Sequence, residues 1–216
     1  MLHRLENKVC HECLIKYDFK YTLTFHSPGL EPWVCGLLRR LKPVSVLDVG
    51  CGLGYWGFIL KGYLGVPYIV GVDIDSSKVE FARRLGVYDE LYTSDIREFN
   101  YPRAFDVVLA IESIHGILDT RLLERLEGFT RKGGLIVLAL PTLSKSITIS
   151  DLIKRGYITY RYLLRGFLLV GVDKAEYATT PTRLWRIVGF AIMFLHPVLR
   201  VMGVFRRGYI LAVKVV

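Results

Sequence analysis

A short β-branched segment that runs directly into a cluster of glycines constrains the fold of this chain more than any other feature. Residues 44–49 read Val-Ser-Val-Leu-Asp-Val, and glycine then occupies positions 50, 52, 54 and 57. Residues 54–64 have the apolar spacing of a helix, with Phe58 and Leu60 among the apolar positions. A buried strand, a tight glycine turn and a helix are therefore predicted in direct succession, as at the start of a βαβ unit.

The same alternation of strand and helix patterns continues through the middle of the chain. Further strands are predicted over residues 68–72, 90–93, 105–111 and 134–140. Helices are predicted over residues 76–85 and 119–129, with the candidate capping residues Ser76, Ser77, Gly86, Asp119 and Thr120. This order favours an α/β fold with a doubly wound, mostly parallel sheet and helices on both faces.

The segments on either side of this core have weaker patterns. Residues 17–25 alternate polar and apolar side chains, which predicts an extended edge strand or flap, and residues 31–41 form a helical pattern. After the core we expect a short helix from Ser150 or Asp151 to Arg155, a strand within residues 157–172, an apolar helix over residues 182–202 and a strand over residues 209–216. We expect one domain over residues 1–216, with an N-terminal cap or lid at 1–43, a core at 44–141 and a C-terminal substrate and lid part at 142–216.

The glycine cluster is close to a dinucleotide-binding motif, but an acidic residue argues against a nucleotide phosphate. Gly52, Gly54 and Gly57 have the GxGxxG spacing, and Asp73 follows 19 residues after Gly54. Asp48, however, immediately precedes the glycine turn, where its carboxylate would repel a pyrophosphate at the helix N-terminus. The site therefore favours a ligand with cationic groups and no phosphate, such as S-adenosylmethionine.

Five motifs in the right order make the chain resemble the class I S-adenosylmethionine-dependent methyltransferases over roughly residues 44–141. They are VLDVGCGLG at 46–54, GVDID at 71–75, TSDI at 93–96, FDVVLAIE at 105–112 and KGGLIV at 132–137. The resemblance implies S-adenosylmethionine as the cofactor. It also implies a seven-stranded sheet whose last strand is antiparallel, a role that residues 209–216 fit.

The resemblance also implies which residues bind the cofactor. Asp73 would bind the ribose hydroxyls, and Asp95 would meet the adenine amino group. Ile74 and Ile96 would lie on the two faces of the adenine ring, and the glycines would let the backbone pass close to the methionine part. The full predicted set is Asp48, Gly50, Cys51, Gly52, Gly54, Asp73, Ile74, Asp95, Ile96 and Ile111.

The methyl acceptor is predicted to bind beside the segment that follows the fourth strand. There His115 is the best candidate for a general base, because the ordinary pKa of histidine lies near neutrality. Glu112 is the second catalytic candidate. A structural histidine that caps the next helix or binds Glu112, and a Glu112 that contacts the cofactor or the first loop, are the alternatives.

Two absences narrow the class of acceptor. Residues 110–113 read Ala-Ile-Glu-Ser, so the Asn/Asp-Pro-Pro-Tyr motif of enzymes that methylate exocyclic or amide nitrogens is missing. No cysteine follows the fourth or fifth predicted strand, which argues against the usual chemistry at C5 of RNA cytosine.

Charge is unevenly distributed along the chain. Residues 142–216 carry 12 basic and 3 acidic residues, whereas residues 47–141 carry 10 and 13. The basic C-terminal part suits an anionic partner or substrate, or a solubilising surface. Together with its apolar helix and the aromatic face of residues 17–25, it favours a small, apolar or lipid-like acceptor with an anionic group. RNA or protein as the acceptor, and a non-catalytic cofactor-binding subunit, are the alternatives.

Composition adds expectations about metals and location. Cys10 and Cys13 have the spacing of half a zinc site but no second pair follows, so no metal is predicted. The longest apolar run, residues 187–199, is shorter than the about 20 residues of a membrane span. We expect a cytoplasmic protein, with peripheral membrane contact or a homodimer interface as further roles for the apolar tail. The absence of glutamine and the low asparagine content suggest a thermophilic source.

Overall fold

The structure, a computed structural model, describes residues 30–140, 143, 146–163 and 208–216. Its strands are β1 (Ser45–Val49), β2 (Tyr68–Asp73), β3 (Glu90–Thr93), β4 (Phe105–Ile111), β5 (Thr130–Leu140), β6 (Ile158–Leu163) and β7 (Gly208–Val215). Its helices are α1 (Leu30–Leu41), α2 (Tyr55–Phe58), α3 (Ser76–Leu85), α4 (Thr120–Gly128) and α5 (Ile149–Lys154), and a π-helical segment, Ile59–Tyr63, continues α2.

The strands form one seven-stranded sheet in the order β3-β2-β1-β4-β5-β7-β6. Strands β1 to β5 pair in parallel, and β7 lies antiparallel between β5 and β6. The predicted doubly wound sheet with an antiparallel last strand is confirmed. Because β2, β1 and β4 are adjacent and parallel, their carboxyl ends lie side by side at one edge, which we call the carboxyl edge.

The central strands are apolar on both faces because helices cover both. On one face, Val46 of β1 is buried in a cluster with Val34 of α1 and Trp56 of α2. On the other face, Leu47 of β1 is buried in a cluster that includes three leucines of α4, Leu122, Leu123 and Leu126. The predicted placement of helices on both faces is therefore confirmed.

The helix ends test the predicted caps. Asp75, rather than Ser76 or Ser77, is the N-cap of α3, because its carboxylate accepts hydrogen bonds from the backbone N–H groups of Ser77 and Lys78. Gly86 is the C-cap with a positive φ of 63°, as predicted.

The N-caps of α4 and α5 are Asp119 and Thr148. Asp119 caps α4 through the backbone N–H of Leu122, which agrees with one of the two predicted candidates. Thr148 caps α5 in a reciprocal capping box with Asp151. The predicted start of that helix at Ser150 or Asp151 is therefore wrong.

Two elements differ in extent from the prediction. The helix expected over residues 54–64 is one α-turn followed by a π-helical segment, in which the Leu64 N–H donates to the Ile59 carbonyl. Strand β5 begins at Thr130 instead of residue 134, and the β4–β5 register shifts at its start. The glycines at 133 and 134, which resemble a turn in the sequence, thus lie within an irregular strand.

Some predictions fall outside the described residues. These are the extended segment at 17–25, the apolar helix at 182–202, the cysteine pair Cys10 and Cys13, and the remainder of the strand predicted within 157–172. Across the described ranges, none of the helices has both the length and the apolar character needed to cross a membrane. Nor does any group of three or more His, Cys, Asp or Glu residues there have an arrangement that suits a metal ion.

Candidate functional site

The carboxyl edge brings together three loops that the sequence analysis singled out. The glycine loop follows β1, residues 73–75 follow β2, and residues 112–115 follow β4. In an open parallel sheet this edge is where ligands bind. Most of the predicted site residues therefore lie on neighbouring strand ends.

The glycine loop is fastened to the end of β2 by backbone and carboxylate contacts. The N–H groups of Gly50 and Cys51 both donate to the Val72 carbonyl, at 2.7 and 3.1 Å. The Gly52 N–H donates to Oδ2 of Asp73 at 2.8 Å, and the Asp75 N–H donates to Oδ1 at 2.9 Å. Asp73 thus already organises the loop, and each of its half-buried oxygens keeps acceptor capacity for a further donor.

The three glycines of the loop are glycines for different reasons. A Cβ on Gly50 would lie 2.2 Å from Cβ of Ser113, and a Cβ on Gly54 would lie 3.0 Å from Leu85. At Gly52 the nearest atom would be a backbone oxygen 4.0 Å away. All three have positive φ angles. Of these three glycines, Gly52 has open space beside its backbone among the described residues. Gly50 and Gly54 instead pack against side chains of the protein.

Asp48 lies just beneath the glycine loop and is almost completely buried, with 1% of its surface exposed. Tyr88 donates its O–H to Oδ2 of Asp48 at 2.6 Å. Burial raises the pKa of Asp48 to about 7; the Tyr88 hydrogen bond lowers it and repulsion from Asp73 raises it. The carboxylate therefore changes charge near neutral pH. Tyr88 is a residue that the sequence analysis missed.

The residues predicted around an adenine ring differ in exposure. Ile74 is 68% exposed, whereas Ile96 is 6% exposed and belongs to the core beneath β4. Asp95 accepts hydrogen bonds from the Arg97 guanidinium, with Nη2 at 2.5 Å, and from the Arg97 N–H. The hydrogen bonds from Arg97 hold the pKa of Asp95 below its ordinary value. Asp95 is thus paired with Arg97 in this structure, an arrangement that the sequence analysis did not anticipate.

The segment after β4 is held against the glycine loop. Glu112 has a positive φ of 57°, and its N–H donates to the Ala139 carbonyl at 2.8 Å. Ser113 donates its hydroxyl to the Val49 carbonyl at 2.7 Å. The left-handed backbone at Glu112, rare for a residue other than glycine, turns the chain out of β4 and directs residues 113–115 along the edge.

His115 carries an unsatisfied nitrogen at this edge. Its Nδ1 is buried and has no hydrogen-bond partner among the described residues. A buried polar atom without a partner is uncommon in folded proteins. Nearby, Ile111 at the end of β4 and Cys51 in the loop are both buried. Burial raises the pKa of the Cys51 thiol, so this cysteine is an inert packing residue rather than a nucleophile.

Comparison with known proteins decides the class of this site. Residues 46–134 match the protein-family model described as a methyltransferase domain. Residues 46–134 are therefore identified as a methyltransferase domain. The match covers all the strands and loops of the carboxyl edge described above. It confirms the predicted enzyme class.

Solved structures confirm the fold of the methyltransferase domain. The plantazolicin methyltransferase BpumL in complex with SAH is 16% identical, with a TM-score of 0.53, and the match covers 98% of this chain and 87% of that chain. BpumL with a monoazolic desmethylPZN analog and SAH is 18% identical, with a TM-score of 0.55 and coverages of 94% and 89%.

A third similar fold comes from Brevibacillus brevis. The O-methyltransferase from its trans-AT PKS multienzyme, in complex with S-adenosyl-L-homocysteine, is 13% identical, with a TM-score of 0.52 and coverages of 84% and 71%. A search of curated proteins with this sequence finds no match. At these identities the likeness concerns the fold alone.

Proposed function

We propose that this methyltransferase domain binds S-adenosylmethionine at the carboxyl edge and transfers its methyl group to a small, apolar molecule that carries an anionic group. The observation that carries the proposal is the open space above Gly52, directly beside the Asp73 carboxylate. A Cβ at position 52 would occupy that space. The donors and acceptors around it suit a ligand with hydroxyl groups and a cationic end.

Asp73 and Asp48 are the proposed contacts to the two ends of the cofactor. Asp73 retains acceptor capacity for the two ribose hydroxyls after its bonds to Gly52 and Asp75. Asp48 supplies negative charge beneath the methionine part. Ile74, exposed beside Asp73, offers an apolar surface to one face of the adenine ring.

Asp95 has a more demanding role in this proposal. Its carboxylate is engaged by Arg97, so it meets the adenine amino group only if it keeps an acceptor site free or exchanges Arg97 for the ligand. Arg97 is exposed, and an exposed ion pair is only weakly stabilising because solvent screens it, so exchange is energetically accessible. Ile96 supports the site from the core side.

The acceptor side of the proposal rests on residues 112–115. When bound, the cofactor supplies an electrophilic methyl carbon on a sulfonium, which is displaced in line. Methyl transfer would leave the cofactor as a neutral thioether and would release a proton from the acceptor atom. His115 is the proposed base for that proton, because its imidazole carries a buried nitrogen at this edge that has no hydrogen-bond partner in the described part of the chain. Glu112 fixes the turn that places His115.

The proposed acceptor class rests on charge and on the neighbouring structures. Residues 142–216 carry 12 basic and 3 acidic residues. This basic composition favours an anionic group on the acceptor. The methyltransferases of similar fold are named for plantazolicin and for a PKS multienzyme, which supports a natural-product-sized acceptor.

The proposal is tested by incubating the protein with methyl-labelled S-adenosylmethionine and extract of its source organism. We expect label in the organic-soluble fraction. We also expect loss of that label in Asp73→Asn, which keeps one acceptor oxygen for the loop, replaces the other with an NH2 donor and removes the charge. Glu80→Gln, the same change of charge on an exposed side chain of α3, is the matched control.

Label in RNA or protein would contradict the small-molecule acceptor and assign the basic part to docking. Cofactor binding without label in any fraction would indicate a non-catalytic subunit. Labelling that survives Asp73→Asn would contradict the proposed ribose contact.

A further inference from the structure

Tyr88, in the connection between α3 and β3, binds two parts of the cofactor site, β1 and α2, that are 40 and 31 positions away from it in sequence. It donates its O–H to Oδ2 of Asp48 at 2.6 Å and accepts the backbone N–H of Gly57 at 3.1 Å. Asp48 belongs to β1 and Gly57 to α2. One phenol oxygen thus connects the buried carboxylate to the first turn of the helix that follows the glycine loop.

The ring of Tyr88 also explains why three neighbouring positions are glycine, of which only Gly54 belongs to the predicted cofactor set. A Cβ on Gly57 would lie 2.3 Å from Cζ of Tyr88, and a Cβ on Gly71 of β2 would lie 2.8 Å from its Cε1. A Cβ on Gly54 would lie 3.2 Å from its Cε2. The loop, the helix and the strand all leave room for the same ring, so its position is fixed from three sides.

We propose that Tyr88 is a positioning residue of the methyltransferase site: its hydroxyl holds the Asp48 carboxylate in the charged form and orientation that the cationic end of the cofactor requires. The inference rests on the proposed function. It differs from a packing role, because packing needs the ring whereas this role needs the O–H.

The charges around Asp48 support a specific role for the hydroxyl. The titratable groups that face the carboxylate are Asp73 on β2, Cys51 in the glycine loop and Tyr88 itself. Burial and the Asp73 carboxylate both favour the neutral form of Asp48, and Tyr88 opposes them. An O–H donor stabilises a carboxylate more than a carboxylic acid. Without it, Asp48 would bind its proton more tightly.

The test uses Tyr88→Phe, which keeps the ring and removes the donor. In the ligand-free protein, ¹³C NMR of the Asp48 carboxyl carbon, assigned with Asp48→Asn, should show a titration midpoint about one pH unit higher in the variant. Affinity for S-adenosyl-L-homocysteine, measured by calorimetry, should fall about fivefold at pH 7 and return to within about twofold of wild type at pH 8.5. The sign follows because the variant needs a higher pH to ionise Asp48.

Tyr63→Phe, the same change at a tyrosine that is 68% exposed, is the matched control and should behave as wild type in both measurements. An unchanged Asp48 midpoint in Tyr88→Phe, or an affinity loss of equal size at every pH, would overturn the inference and leave a packing role. A wild-type protein that does not bind S-adenosyl-L-homocysteine would overturn the proposed function itself. The NMR midpoint reports on Tyr88 independently of that result.

Discussion

Two aspartates at opposite edges of the sheet have opposite environments. Asp48, at the carboxyl edge, is fully buried with Tyr88 as its hydrogen-bond donor, and burial raises its pKa to about 7. Asp106, near the start of β4, accepts the N–H groups of Val44 and Ser45 at 2.6 and 2.9 Å and pairs with Arg131.

For Asp106 the balance of effects is reversed. Burial raises its pKa, but the hydrogen bonds from Arg131 and the two backbone amides outweigh that and hold it below the ordinary value. The ionised form of Asp106 therefore stabilises the fold, whereas the ionised form of Asp48 destabilises it. A buried carboxylate whose pKa is raised in this way is a candidate functional group.

Substituting these aspartates should change stability in opposite directions, and this is the largest expected effect. In the folded state Asp48 binds a proton more tightly than in the unfolded chain, so its ionisation destabilises the fold as pH rises from about 4 to 7. Asp48→Asn should therefore raise the free energy of unfolding at pH 8 by a few kcal/mol, because the pKa of Asp48 in the folded state lies about three pH units above its ordinary value. At pH 4 the gain should vanish. Urea unfolding at the two pH values measures both.

Asp106→Asn is the counterpart. Because the pKa of Asp106 is lowered in the folded state, its carboxylate stabilises the fold at pH values above its pKa in the unfolded chain. This stabilisation is lost as the pH falls through the lowered pKa of the folded state. We expect Asp106→Asn to destabilise the fold by about 2 kcal/mol at pH 7, since charge-assisted hydrogen bonds are lost. Cofactor affinity should be unchanged. A stabilised Asp106→Asn, or a destabilised Asp48→Asn at pH 8, would contradict the comparison.

The sequence predicts local features of this fold better than features that depend on distant contacts. The bounds of β3 and β4 agree with the β-branched and apolar runs, and Gly86 ends α3 as its conformational freedom requires. The pairing of Tyr88 with Asp48 joins residues 40 positions apart, so no local pattern contains it. The signal available was indirect: Gly57 and Gly71 lack a side chain where a neighbour needs space.

The resemblance to methyltransferases predicts which residues form the candidate site. It does not predict their ion pairs or their backbone conformations. The order of motifs predicts that Asp48 and Asp73 lie at strand ends and that His115 lies in the segment after β4. The ion pair of Asp95 with Arg97 depends on the turn after β3, and the left-handed Glu112 depends on its bond to Ala139 of β5. The first is a local contact within a turn and the second joins two strands, and hydrophobic periodicity encodes neither.

Two glycines with positive φ sharpen the comparison between the edges. Gly52 and Gly133 have φ angles of 53° and 75°, and a Cβ on either meets no atom closer than 4.0 Å. Alanine at either position should cost about 1–2 kcal/mol of stability because of the left-handed backbone. Gly52→Ala should also weaken S-adenosyl-L-homocysteine binding by at least about tenfold, because its methyl group enters the proposed cofactor space. Equal affinities for the two variants would place the ligand elsewhere.

Within the described ranges two non-glycine residues have a positive φ, and they allow the test with the smallest expected effect on stability. Lys42 (φ 50°) ends α1 near the amino edge, and Glu112 (φ 57°) leaves β4 at the carboxyl edge. Glycine at either position relieves left-handed strain, and after the entropy cost of glycine we expect a gain of about 0.5–1 kcal/mol in urea unfolding. Only Glu112→Gly should reduce kcat, by about tenfold, since it frees the turn that places His115. Glu112→Asn shows whether a lower kcat comes from the turn or from the loss of the carboxylate, because asparagine tolerates a left-handed backbone. A normal kcat in this variant assigns the effect to the turn, and a reduced kcat assigns it to the carboxylate.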